Sequence, residues 1–138
     1  MTISKYISDF ISNYMKGVSI TTNHLEDSPD KYGLFKSPAR ETKNYTDGSH
    51  EITEHYQFFA KQDGVSEADR RDSDEFLEEL VYWMDDYANE YEYPSIDGGR
   101  TVIDIRITGC PYSMDVENNN EVIYQLTLSI TYIREREV

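Results

Sequence analysis

The chain has 138 residues, a formal charge of −14, 38% hydrophobic residues and a single cysteine. That length fits one domain, 1–138, with enough interior to fold without disulfides or a structural metal. Such acidity disfavours direct binding of a phosphate backbone or of an anionic membrane.

Twelve Tyr, five Phe and one Trp supply apolar area that the aliphatic content lacks, so a folded domain is expected rather than a disordered one. No stretch approaches the roughly 20 apolar residues of a membrane span, and no leader pattern opens the chain. One cysteine makes no internal disulfide, which suits a reducing cytosol. Between residues 63 and 92, twelve acids against two basic residues give −10, while 1–62 carries −1 and 93–138 carries −3.

Ile3, Ile7, Phe10, Ile11, Tyr14 and Met15 recur at helical spacing, with Thr2 as cap and Gly17 as stop, and predict a first helix over 3–15. Val18 to Leu25 reads as a short strand. Glu26 to Pro38, with two prolines and a glycine, reads as a surface loop. Arg40–Tyr45 and Glu51–Lys61 flank Thr46-Asp47-Gly48-Ser49, a hairpin signal. Asp72 to Tyr91 places Phe76, Leu77, Leu80, Val81, Trp83, Met84, Tyr87, Ala88 and Tyr91 on one stripe. It predicts the main helix, ~30 Å long, with Asp72 and Glu75 as a capping box.

The last third alternates. Ile103, Ile105 and Ile107 interleave with polar residues over Thr101–Thr108, and Val122, Tyr124, Leu126, Leu128, Ile130 and Tyr132 do so over Glu121–Arg134. The expected fold is α+β: a mainly antiparallel sheet with two amphipathic helices on one face, in the order α-β-β-β-α-β-β. On the other face the alternation sets Phe59, Val102, Ile123, Gln125, Thr127, Ser129, Thr131 and Ile133. A face that mixes Thr and Ser with isolated apolar residues suits either water or a subunit contact, and Phe59, Val102, Ile123, Gln125, Thr127, Thr131 and Ile133 are the candidate interface.

Catalytic signatures are weak. Cys110-Pro111-Tyr112-Ser113 looks like a glutaredoxin motif short of one thiol. It comes at the end of a strand, before Asp115 and Glu117, where no helix dipole lowers a thiol pKa. A monothiol redox enzyme is therefore a minor alternative, and a strand end before a proline turn is the expected role. His24, His50 and His55 lack two-ligand helical spacing, so no metal site is expected. Asp74, Glu78, Glu79, Asp85, Asp86 and Glu90 form an acidic surface on the polar side of the main helix, where nothing raises a carboxyl pKa for acid catalysis. No phosphate-cradling or nucleophile motif occurs, and no enzyme activity or cofactor is expected.

The amphipathic first helix, the Asp-Gly hairpin ending in HYQFFAK, the helix FLEELVYWMDDYANE, and the closing TVIDIRITG and VIYQLTLSITYIRE carry a resemblance over Ile3–Glu135. The chain resembles the tail-terminator, or tail-completion, proteins of long-tailed bacteriophages, often labelled minor capsid proteins of the head–tail joining module. The resemblance implies a ring, usually of six copies, that caps the tail tube protein and docks to the head connector or stopper proteins. Such a subunit is made in the host cytoplasm and resides at the head–tail junction of the virion, with DNA passing through the ring without sequence-specific binding. The family offers no site residues to carry over individually. The alternative reading is an acidic DNA mimic that inhibits a basic nucleic-acid enzyme through the −10 block.

Overall fold

The computed structural model describes residues 1–15, 19–23, 31–63, 67–115 and 121–135. Its elements are α1 (Ile3–Tyr14), β1 (Ile20–Thr22), β2 (Lys31–Asn44), β3 (His50–Asp63), α2 (Glu67–Glu90), β4 (Arg100–Asp115) and β5 (Glu121–Arg134). The expected α-β-β-β-α-β-β order holds. The strands form one sheet in the order β1-β2-β3-β5-β4, with β1 parallel to β2 and every other pair antiparallel.

α1 forms where the sequence places it. Thr2 Oγ1 accepts the Lys5 N–H at 3.1 Å, satisfying one of the orphan donors of the first turn. Ile3, Tyr6, Ile7, Phe10 and Ile11 turn inward and are buried. Gly17, read as its stop, lies outside the described residues. On α2, Leu77, Leu80 and Met84 fall on one stripe and are almost wholly buried. Both stripes join Leu34, Ile52, Phe58, Leu126, Leu128 and Ile130 of the sheet in one core. Each fully buried aliphatic side chain contributes about 1.5–3 kcal/mol against exposure.

The hairpin between β2 and β3 turns as its Asp-Gly predicts. Gly48 N–H donates to the Tyr45 carbonyl at 3.1 Å, and Tyr45 N–H to the Ser49 carbonyl at 3.0 Å. Gly48 sits at φ +89°, where a Cβ would be strained. Asp47 Oδ1 accepts from both the N–H (2.8 Å) and the hydroxyl (2.6 Å) of Ser49, and these bonds lower its pKa from the ordinary value.

Four expectations are corrected. Lys31 to Pro38 is strand, not loop. Pro38 is accommodated where Lys36 and Arg40, four residues apart, face Tyr56 and Glu54, two apart, so the chain bulges and needs no ladder N–H there. The main helix begins at Glu67, so Asp72 lies inside it and is not a cap. β4 does not stop at Thr108. It runs on through Cys110 and Pro111, which occupy a bulge between Gly109 and Tyr112 on an edge strand. Finally, β4 also bulges between Val102 and Asp104. That bulge reverses the alternation, so Val102 pairs with Tyr132 and is 8% exposed in the core, while Ile103 is 41% exposed. Of the region expected as a first strand, Ile20–Thr22 is β1, and Val18, His24 and Leu25 lie outside the described residues.

Candidate assembly surfaces

The sheet face away from the helices is built by register. Phe59 lies between Gly33 and Gln125, Gln57 between Phe35 and Thr127, His55 opposite Ser129, Thr53 opposite Thr131, Lys61 opposite Ile123, and Glu51 opposite Ile133. β4 extends this face with Thr101, Asp104, Arg106 and Gly109. Six of the seven candidate interface residues, Phe59, Ile123, Gln125, Thr127, Thr131 and Ile133, therefore share one surface; Val102 does not, because of the bulge.

This face mixes apolar and hydroxyl-bearing side chains with His55, Gln57, Gln125 and the buried Lys61. Phe59 meets Phe35 edge-on at 5.1 Å between ring centroids. Thr53 and Thr131 hydroxyls are 3.0 Å apart, and Thr108 donates to Thr127 at 3.2 Å. Thr127 Oγ1 lies over Gly109, where any Cβ would collide with it. Gln125 and Ser129, on a central strand, are almost fully covered by their neighbours, whereas Phe59, Ile123, Thr127, Thr131 and Ile133 are half-buried. His55, opposite Ser129 within the face, lies 2.7 Å from Glu41, while the Lys43–Glu51 pair at 3.9 Å stands toward the hairpin and the Arg106–Asp104 pair at 3.1 Å on the outer strand β4. Apolar and hydroxyl-bearing side chains interspersed with charged groups make a surface of mixed character that suits a protein–protein contact.

The second surface is the outward side of α2. Asp74, Glu78, Glu79, Asp85, Asp86 and Glu90 are all exposed, as the sequence predicts. Asp74, Glu78 and Asp85 follow one row of the helix, and Glu79, Asp86 and Glu90 follow another. Tyr82, 57% exposed between the rows, donates its hydroxyl to Glu78 Oε1 at 2.6 Å. None of the six carboxylates is ion-paired among the described residues.

Two charged side chains of β3, Glu54 and Lys61, are buried, and the glutamate escapes a reading by composition. Glu54 lies on the core face of β3 between Ile52 and Tyr56 and is 5% exposed. Its Oε1 takes Lys36 Nζ at 2.8 Å, which raises the Lys36 pKa, and its Oε2 has no hydrogen-bond partner among the described residues. Burial foremost, then the nearby Glu54 charge, pushes the Tyr132 phenol up to about 12. The signal was present in the alternation: Ile52, Glu54, Tyr56 and Phe58 share one period.

His50 Nδ1 lies 2.6 Å from Asn44 Oδ1, and His55 pairs with Glu41, so neither histidine is gathered with other ligands. Among the described residues no group of His, Cys, Asp or Glu is arranged to hold a metal. No helix there is long and apolar enough to cross a membrane. The Cys110 side chain lies outside what is described. No protein-family model matches the chain, and no curated protein matches it in sequence.

Proposed function

We propose that the chain is a structural virion protein, a ring-forming tail-terminator subunit of the bacteriophage head–tail joining module. The observation that carries this reading is the sheet face away from the helices, which sets the Phe35–Phe59 and Thr53–Thr131 pairs beside charged groups such as Arg106 and Asp104. A surface of that composition suits a repeated contact between copies. The acidic side of α2 supports the same reading, because carboxylates near a DNA passage repel the phosphates and let the duplex slide. In this role the protein is no enzyme and uses no cofactor. Its partners are further copies of itself in a ring, usually of six, the tail tube protein below and the head connector or stopper above.

Mass photometry at tens of micromolar, with negative-stain microscopy, tests this directly. Annular particles of uniform size are the expected result, either with the protein alone or on purified tail tubes. A strict monomer in both settings overturns the reading.

A second reading is favoured by the two exposed carboxylate rows of α2, in which no carboxylate is ion-paired among the described residues. An acidic mimic of DNA would present them to a basic enzyme. That protein would stay monomeric or dimeric and co-purify with the enzyme, and neutralising Asp85, Asp86 and Glu90 together would abolish the complex.

A further inference from the structure

The helical side of the domain holds a groove that neither the sheet face nor charge alone accounts for. Phe10 and Tyr14 of α1 meet Trp83 and Tyr87 of α2, with ring centroids 4.6 Å apart for Tyr14–Trp83, 4.9 Å for Phe10–Trp83 and 4.8 Å for Phe10–Tyr87. Asn13 and Pro94 complete its lining. Pro94 is held in place by the Tyr6 hydroxyl, which donates to its carbonyl at 2.7 Å. Tyr14, Trp83 and Tyr87 are only partly buried, and Tyr91, 5.2 Å from Tyr87, is 59% exposed. Contiguous aromatic surface of this kind is unfavourable in water and marks interaction sites.

The charge around the rings is all of one sign on the α2 side. Glu79 lies four residues before Trp83, Asp86 three after and Glu90 seven after, the positions that flank it on a helix surface. All three are exposed, and none is ion-paired among the described residues. Glu79 is near enough to the Tyr14 phenol that its charge, after burial, helps raise that pKa. Aromatic walls beside unpaired carboxylates complement a side chain with an apolar stem and a cationic head.

We propose that this groove docks a basic, amphipathic segment of another protein, with its apolar side chains and arginine or lysine stems along the rings and its cationic heads among Glu79, Asp86 and Glu90. Nucleic acid would meet only repulsion there. The site lies on the opposite side of the domain from the sheet face, so it does not depend on ring formation.

Trp83 is the only tryptophan, so its fluorescence reports occupancy. The probe is a short synthetic peptide alternating arginine and leucine, with a control in which glutamate replaces each arginine. The expected result is a saturable change with the arginine peptide, with half-saturation below about 100 µM, and none with the glutamate peptide. The triple variant Glu79→Gln, Asp86→Asn, Glu90→Gln, which touches only exposed side chains, weakens binding at least tenfold. Asn13→Phe, which fills the groove and leaves the carboxylates intact, does the same. No saturation at millimolar peptide, equal binding of the glutamate peptide, or unchanged affinity in either variant would overturn the proposal.

Discussion

Glu54 shows how a single residue can set the stability of a sheet end. Its carboxylate is buried, and one oxygen relies on Lys36, whose own side chain is half-exposed. Removing the lysine leaves a buried charge without its partner, and that costs more than the pair contributes. Lys36→Met should therefore destabilise the domain by about 1–3 kcal/mol, read as a fall in urea midpoint. Adding Glu54→Leu should recover most of the loss, since an apolar residue suits the core face. A double variant no more stable than Lys36→Met alone would contradict this account. The tyrosines make a separate prediction. Burial pushes Tyr6 and Tyr132 up to about 12 and raises Tyr14, Tyr56 and Tyr93. The unfolded chain releases these protons first, from its ordinary value near 10, so the folded state is progressively disfavoured as pH rises between 10 and 12. Thermal melts across that window should show a falling Tm, and absorbance titration should show several phenols ionising only near or after unfolding.

Among elements, β4 depends most on local irregularity. At Gly109 the strand passes beneath the Thr127 hydroxyl, and a Cβ there would collide with it. Gly109→Ala should cost about 1–3 kcal/mol, whereas in a Thr127→Ala background the same change should cost little, because the obstructing oxygen is gone. Equal costs in both backgrounds, measured by denaturant unfolding, would show that the strain lies elsewhere in the strand. This bulged strand also explains what was legible in the sequence and what was not. Regular elements announced themselves: Ile3 to Met15 by helical period, Val122 to Tyr132 by alternation, Asp47-Gly48 by its turn chemistry. Bulges made of ordinary residues leave no such mark. The run Ile103, Ile105, Ile107 reads as a single alternation, yet one extra residue at Ile103 sends Val102 into the core and that isoleucine outward. Pro38 and Pro111 looked like strand breakers because composition does not reveal that a bulge or an outer edge spares their missing N–H. The start of α2 was hidden for another reason: Glu67 to Arg71 has only Ala68 among charged residues, so no apolar period reports the helix. On the candidate surfaces, the face of Phe59 followed directly from alternation, whereas the groove at Trp83 required two helices to meet and had no signature in either one.

At the scale of the whole molecule, the two faces of the sheet divide the work. One is sealed by α1 and α2 into the core, and neither of these helices packs on the other face. Strands of this length, at ~3.3 Å per residue, run roughly 45 Å, and four of them side by side make a face of roughly 650–850 Å². That is near the ~800 Å² per partner of a standard protein interface, so the face has the extent such a contact requires. Phe59 lies within it, half-buried and packed edge-on against Phe35, while its neighbour Phe58 is wholly buried on the core side. Phe59→Asp places a charge at the centre of the proposed contact without touching that core. In the ring reading, the variant keeps its circular dichroism spectrum and a cooperative melt but loses annular particles by microscopy and runs as a monomer by mass photometry. Phe58→Asp is the control and should unfold the domain outright, because it buries an unpaired carboxylate. Rings that persist in Phe59→Asp would move the subunit contact away from the sheet. Unfolding of Phe59→Asp itself would assign the ring of Phe59 to monomer stability rather than to assembly.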